Sequence, residues 1–330
     1  MCVDNEYIAF HEFGRPEDVL KAGRKPIAAP GPGEVLVRMI ARPINPSDLI
    51  PVGGAYSHRI TLPCIPGYEG VGIVEDAGQG VSRELLGRRV LPLRGEGTWQ
   101  QFVRAPAQWA VVIPDGVTDD EAAQLYINPM TAWLICREIL GLKPGAVLAV
   151  NACGSALGRI IAQLCRILGV RLIAVTRNDR HTQELLGLGA ASVINTEEIS
   201  LRPAILELTG GWGADAAVDM IGGRPGTELA RCVRGDGNYV TLGLLSGVPL
   251  DWAEIRRGTA ARATMFHLRH WNQAAGIQVW QDTFRELISL ILMKELELQP
   301  PRARFELQRA AEAARAAKVS RGAPGKCFLM

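Results

Sequence analysis

"AVLAVNACGSALGRIIAQLCRILGVRLIAVTRNDR", residues 146–180, is the stretch whose reading decides the fold. A short apolar run gives way to small residues, then to a segment with helical spacing, then to a second apolar run. Strand, glycine-containing turn, helix and strand in that order form a βαβ unit, the building block of a doubly wound parallel sheet. Gly154 and Gly158 permit close backbone approach, and Ala152 and Ala156 are nearly as small. A helix starting near Ser155 presents free N–H groups and a positive dipole end, which suits the pyrophosphate of a dinucleotide.

The second strand ends in Thr176 and Arg177, with Arg180 close behind. An acid at this point of a dinucleotide fold accepts from the ribose 2′-OH, whereas arginine meets a 2′-phosphate. Cations are disfavoured at a helix N-terminus unless an anion is bound there. Arg177 and Arg180 are therefore read as phosphate ligands, and NADPH is the expected cofactor.

The 330 residues allow one large or two medium domains. Apolar residues make up 48% and charged residues 21%, with a net charge of +2. That balance is ordinary for a globular chain and gives no electrostatic case for nucleic acid. No signal-peptide layout and no apolar run of membrane-spanning length is seen. Seven scattered cysteines, never spaced as C-x-x-C, suggest reduced thiols and a cytoplasmic protein.

Three textures follow one another. Residues 1–124 are rich in Pro and Gly with short β-like runs such as "GEVLVRMIA" and "GVGIVEDAG". Strand and helix alternate from about residue 125 to 265. Residues 275–330 return to helices and a final strand, "GKCFLM".

"PGPGEVLVRMIARPINPSDL" (30–49) followed by "LPCIPGYEGVGIV" (62–74) resembles the medium-chain dehydrogenase/reductase superfamily, and the likeness spans the whole chain. The resemblance implies an α/β protein with a GroES-like, β-rich catalytic domain from both chain ends, 1–124 and 275–330. A Rossmann NADPH-binding domain, 125–274, lies between them in sequence. It also implies a homodimer.

Zinc-dependent members carry ligands that can be checked here. Asn45 stands where they have Cys, Tyr68 in Gly67-Tyr68-Glu69 where they have His, and "QLYINPMTAW" offers neither. The four-cysteine structural lobe is absent, so no metal is expected. Zinc-free members reduce activated double bonds, and two branches are similar to this chain: 2-enoyl thioester reductases and quinone oxidoreductases. Gly54-Ala55-Tyr56 fits both.

Three features resemble the thioester reductases more: "GTWQQFV" (97–103), "INPMTAW" (127–133) and "RNDR" (177–180). By these matches Asn128, Gly154, Ser155, Ala156, Leu157, Arg177, Asn178, Leu244, Phe266, His267 and Lys326 correspond to cofactor-contacting positions. Asn45 and Trp99 correspond to the substrate pocket. Asn128-Pro129 also reads as a helix cap, Trp99 as a core anchor and Lys326 as a surface lysine. "FHLRHWN" departs from the usual aromatic pattern where the acyl chain enters.

The expected reaction is NADPH-dependent reduction of a 2-enoyl thioester of coenzyme A or acyl carrier protein, with hydride to the β-carbon and a proton to the α-carbon. A phenolic O–H is a neutral donor at pH 7, so Tyr56 is the candidate to meet the developing oxyanion or pass the proton. Quinone or enone reduction is the alternative, and a non-catalytic NADPH-binding sensor is the reading of another class.

Overall fold

The computed structural model describes residues 4–319 and 324–330; Cys2 lies outside them. Its strands, in chain order, are β1 (Asp4–Phe10), β2 (Leu20–Pro26), β3 (Glu34–Pro43), β4 (Val71–Ala77), β5 (Arg89–Leu91), β6 (Phe102–Pro106) and β7 (Val111–Val112). Then follow β8 (Val147–Val150), β9 (Arg171–Thr176), β10 (Ala190–Asn195), β11 (Ala214–Asp219), β12 (Val233–Thr241), β13 (Arg262–Met265), β14 (Ala303–Phe305) and β15 (Cys327–Leu329). Two compact units result: Met1–Ile127 with Ala275–Met330, and Asn128–Ala274.

The second unit is a six-stranded sheet in the order β10-β9-β8-β11-β12-β13, with every pair parallel. All four residues of β8 and five of six in β9 are buried, as a sheet covered on both faces requires. The helix Ala156–Ile167 makes the crossover from β8 to β9, burying Ile160, Ile161, Leu164 and Cys165. The chain leaves β8 towards β9 on one side, while β11 pairs on the other. The carboxyl ends of β8 and β11 thus mark the switch point where doubly wound sheets bind ligands.

The first unit is β-rich. A seven-stranded sheet runs β14-β15-β3-β4-β5-β7, with β6 also paired to β3. β15 pairs antiparallel with β3, setting Leu329 opposite Arg42, so residues near both chain ends share one sheet. Ile8, Phe10, Leu49 and Val52 share a core with Leu307, Ala313 and Leu329. The antiparallel pair β1–β2 was not anticipated from sequence. Its second strand, "LKAGRKP", is mostly exposed and lacks the apolar alternation that marks a half-buried strand.

Candidate active site

In the nucleotide unit the loop after β8 is shaped by its small residues. A Cβ on Gly158 would lie 2.3 Å from the Cys153 carbonyl oxygen, so glycine is required there. Ala152 takes a left-handed φ of 48°, turning the chain out of the strand. Ser155 caps the helix, its Oγ accepting from Gly158 N–H at 3.1 Å. Helix geometry leaves the N–H groups of Ala156 and Leu157 without an intrahelical acceptor.

After β9, Asn178 caps a short turn, its Oδ1 accepting from Arg180 N–H. Arg177 and Arg180 are exposed, and neither side chain makes an ion pair among the described residues. The nearby acid is occupied: Asp179 accepts from Asn195 at 3.1 Å and Thr182 at 3.2 Å. Open cations beside an engaged carboxylate suit a phosphate better than a ribose hydroxyl.

One residue that sequence reading passed over organises this edge. Asp219, at the end of β11, is fully buried and accepts from Asn151 Nδ2 at 2.6 Å, Thr241 Oγ1 at 3.0 Å and Gly222 N–H at 3.1 Å. Asn151 returns through Oδ1 to Met220 N–H at 2.7 Å. The ends of β8, β11 and β12 are thereby tied together. Leu244 follows β12 and is half exposed; Phe266, just past β13, is buried and donates its N–H to Thr241 O. His267 is partly buried, and its Nδ1 accepts from Arg269 N–H at 3.2 Å. Loop residues 154–157, Arg177, Asn178, Arg180, Leu244, Phe266 and His267 all lie on the carboxyl edge of one sheet. A glycine cradle, a helix N-terminus and two open guanidinium groups fit an anionic dinucleotide.

Asn128 does not cap a helix. It lies inside a π turn, Tyr126–Met130, ahead of the helical turn Thr131–Trp133. Pro129 has no N–H to give an i→i−4 bond, which accounts for the widened ladder.

In the β-rich unit Tyr56 is 40% exposed and adopts a left-handed φ of 69°, following Gly54 at 92°. That region is strained for a tyrosine. The Arg59 guanidinium lies over its ring, 3.8 Å from the centroid.

Asn45 and Trp99, expected at the substrate pocket, are both buried within the β-rich unit. Trp99 is a core residue, 0% exposed, and its ring lies where a Cβ on Gly67 would be 2.3 Å from Cδ1. Asn45, 2% exposed, precedes the helix Pro46–Val52 and donates from Nδ2 to Glu69 Oε1 at 2.7 Å. Glu69 also takes Ile127 N–H at 2.7 Å and Lys326 Nζ at 3.0 Å. Lys326 is thus no surface lysine but half of a buried ion pair. Burial holds the neighbouring Asp48 carboxyl up at about 7.

Family models support this architecture: residues 31–115 match "Alcohol dehydrogenase GroES-like domain" and residues 156–292 match "Zinc-binding dehydrogenase". A mitochondrial enoyl-[acyl-carrier-protein] reductase of Caenorhabditis elegans is 33% identical over 250 residues, covering 74% of this chain and 71% of that protein. The chain belongs to the zinc-independent medium-chain dehydrogenase/reductase superfamily. This superfamily member is also similar to the structure of a proposed NADPH:quinone reductase from Bacillus thuringiensis (TM-score 0.97, 53% identity, 99% of each chain). Escherichia coli quinone oxidoreductase complexed with NADPH gives a TM-score of 0.90 at 26% identity, over 98% of this chain and 99% of that one. The family is NADPH-dependent, and this member is an oxidoreductase. Zinc does not fit it: Asn45 and Tyr68 stand at ligand positions, and no cluster of three or more His, Cys, Asp or Glu side chains among the described residues could hold a metal. No described helix is long and apolar enough to cross a membrane.

Proposed function

We propose that this chain reduces the carbon–carbon double bond of a 2-enoyl thioester. Tyr56 carries the reading: an exposed phenol held in a strained turn, under a cation, in a chain whose ligand positions do not suit zinc. When bound, NADPH supplies the hydride received by the β-carbon. Tyr56 Oη–H donates to the thioester oxygen as negative charge grows there, and Tyr56 or water delivers the proton to the α-carbon. Gly154, Ser155, Ala156, Leu157, Arg177, Asn178 and Arg180 hold the cofactor, aided by Asn128, Leu244, Phe266 and His267. Relatives named enoyl-[acyl-carrier-protein] reductases support the thioester class.

Quinone or enone reduction is the second reading, favoured by the 53% identity to a proposed NADPH:quinone reductase. We further propose a homodimer, supported by the open edge strand β13 and the exposed Met265, Leu245 and Val248 of the same unit. A reducing, cytoplasmic setting is proposed from the free thiols among the described cysteines.

A panel of NADPH oxidation with crotonyl- and longer enoyl-thioesters, quinones and enones tests the function. Turnover of enoyl thioesters is expected. Turnover confined to quinones selects the second reading, and NADPH binding without any turnover selects a sensor.

A further inference from the structure

One side-chain cluster on the nucleotide edge is not used by the reading above. Arg159, on the helix Ala156–Ile167, has a side chain only 4% exposed. It donates to both Glu184 oxygens at 2.7 Å, to the Gly154 carbonyl and to His181 Nδ1 at 3.1 Å. A guanidinium has no acceptor, so the contact with His181 has one direction: Nδ1 accepts. In that arrangement the neutral imidazole carries its proton on Nε2, the opposite tautomer giving up the Arg159 bond for one to Glu184. Glu184 Oε2 lies farther from Nδ1, at 3.4 Å, and is already engaged by Arg159.

The position of that Nε2–H is equally defined. The His181 ring lies against Gly154, where an added Cβ would be 2.4 Å from Cδ2 and 3.3 Å from Nε2. Gly154 is therefore needed to admit the imidazole. The side chain is 18% exposed, and Nε2 forms no hydrogen bond among the described residues. His181 directly follows Arg180 and stands four residues after Arg177. An unspent donor thus sits against the nucleotide loop, on the chain segment that carries Arg177 and Arg180.

We propose that His181 is a specificity-determining ligand of the 2′-phosphate, donating through Nε2–H, and that Arg159 is the positioning residue that fixes its tautomer. The proposal rests on the NADPH-binding reading of this edge. A bond to a phosphate is worth more than one to a neutral ribose hydroxyl, so His181 adds to the preference for NADPH.

Titration of the full chain with NADPH and NADH, followed by nucleotide fluorescence, tests this. His181→Phe keeps a ring and loses the donor; NADPH should bind about 10-fold more weakly and NADH within about 3-fold of wild type. His181→Gln replaces the donor and should restore most NADPH affinity. In the free protein, long-range proton–nitrogen NMR of the imidazole should show a protonated Nε2 and a bare Nδ1. In Arg159→Gln that single tautomer should give way to a mixture, with loss of NADPH affinity alone. Equal loss of both nucleotides in His181→Phe, unchanged NADPH affinity, or a proton on Nδ1 in the wild type each overturns the proposal. Failure of the wild type to bind NADPH would instead remove the reading beneath it.

Discussion

Lys326 and Glu69 form an ion pair of 3.0 Å in which the side chains keep only 9% and 1% of their exposure. Asn45 and Ile127 supply the other donors to the same carboxylate. Removing Lys326 strands a buried charge, so Lys326→Met should cost about 3–5 kcal/mol of stability. Adding Glu69→Gln should recover much of that loss. Urea midpoints of the single and double variants check it, and a single-variant loss below about 1 kcal/mol would show that the pair contributes little to the fold.

The Asp48 carboxyl, held at about 7 chiefly by burial, gives a pH dependence. An unfolded aspartate titrates near 4, so between roughly pH 4 and 7 the folded chain keeps a proton the unfolded chain has released. Its contribution to stability is therefore lost as pH rises through that window, by an amount on the order of a few kcal/mol, and is level above it. Asp48→Asn retains an acceptor for Asn45 N–H and should flatten the slope. An identical slope in variant and wild type from pH 4.5 to 8, by chemical denaturation, rules the assignment out.

Tyr56→Phe keeps the ring beneath Arg59 and removes only the hydroxyl. Turnover on an enoyl thioester should fall by roughly 10²–10³, nearer the lower figure because water can substitute in part. NADPH affinity and melting temperature should hold. Near wild-type turnover would make Tyr56 a wall residue, and a raised KM at unchanged kcat would restrict it to ground-state binding.

Arg177→Ala removes a charge-assisted contact and should weaken NADPH binding by about 1.5–3 kcal/mol while sparing NADH. Exposure of the side chain favours the lower end. Equal weakening of both cofactors in calorimetry would sink the phosphate assignment.

Elemental analysis of the purified protein should find no stoichiometric zinc, and chelators should leave activity and melting temperature unchanged. One tightly held zinc per chain would mean that ligands lie elsewhere than at Asn45 and Tyr68.

The nucleotide unit was legible because its signals are local: apolar runs of strand length, a small-residue turn and a helix with one buried face. What organises its edge was not. Asn151 and Asp219 are 68 positions apart, and Arg159 reaches His181 across 22, distances at which no residue pattern announces a contact. Trp99 was legible as an aromatic after a turn, but not as core or pocket, since that depends on Gly67 leaving room for its ring. Lys326 was equally ambiguous until Glu69 was seen beside it.

The pairing of β15 with β3 orders events at the ribosome. All six strands of the nucleotide unit lie in one unbroken segment, so that unit can finish folding while translation continues. β3 meets β4 and β6 soon after it is made, but Arg42 and Pro43 at its end must wait until residues 327–329 emerge. Throughout that interval Ile8, Phe10, Leu49 and Val52 lack the Leu307, Ala313 and Leu329 side chains that complete their core. Slow elongation or a stall late in the message therefore lengthens the period in which the newborn chain is prone to aggregate, and a holding chaperone would act on the β-rich unit first.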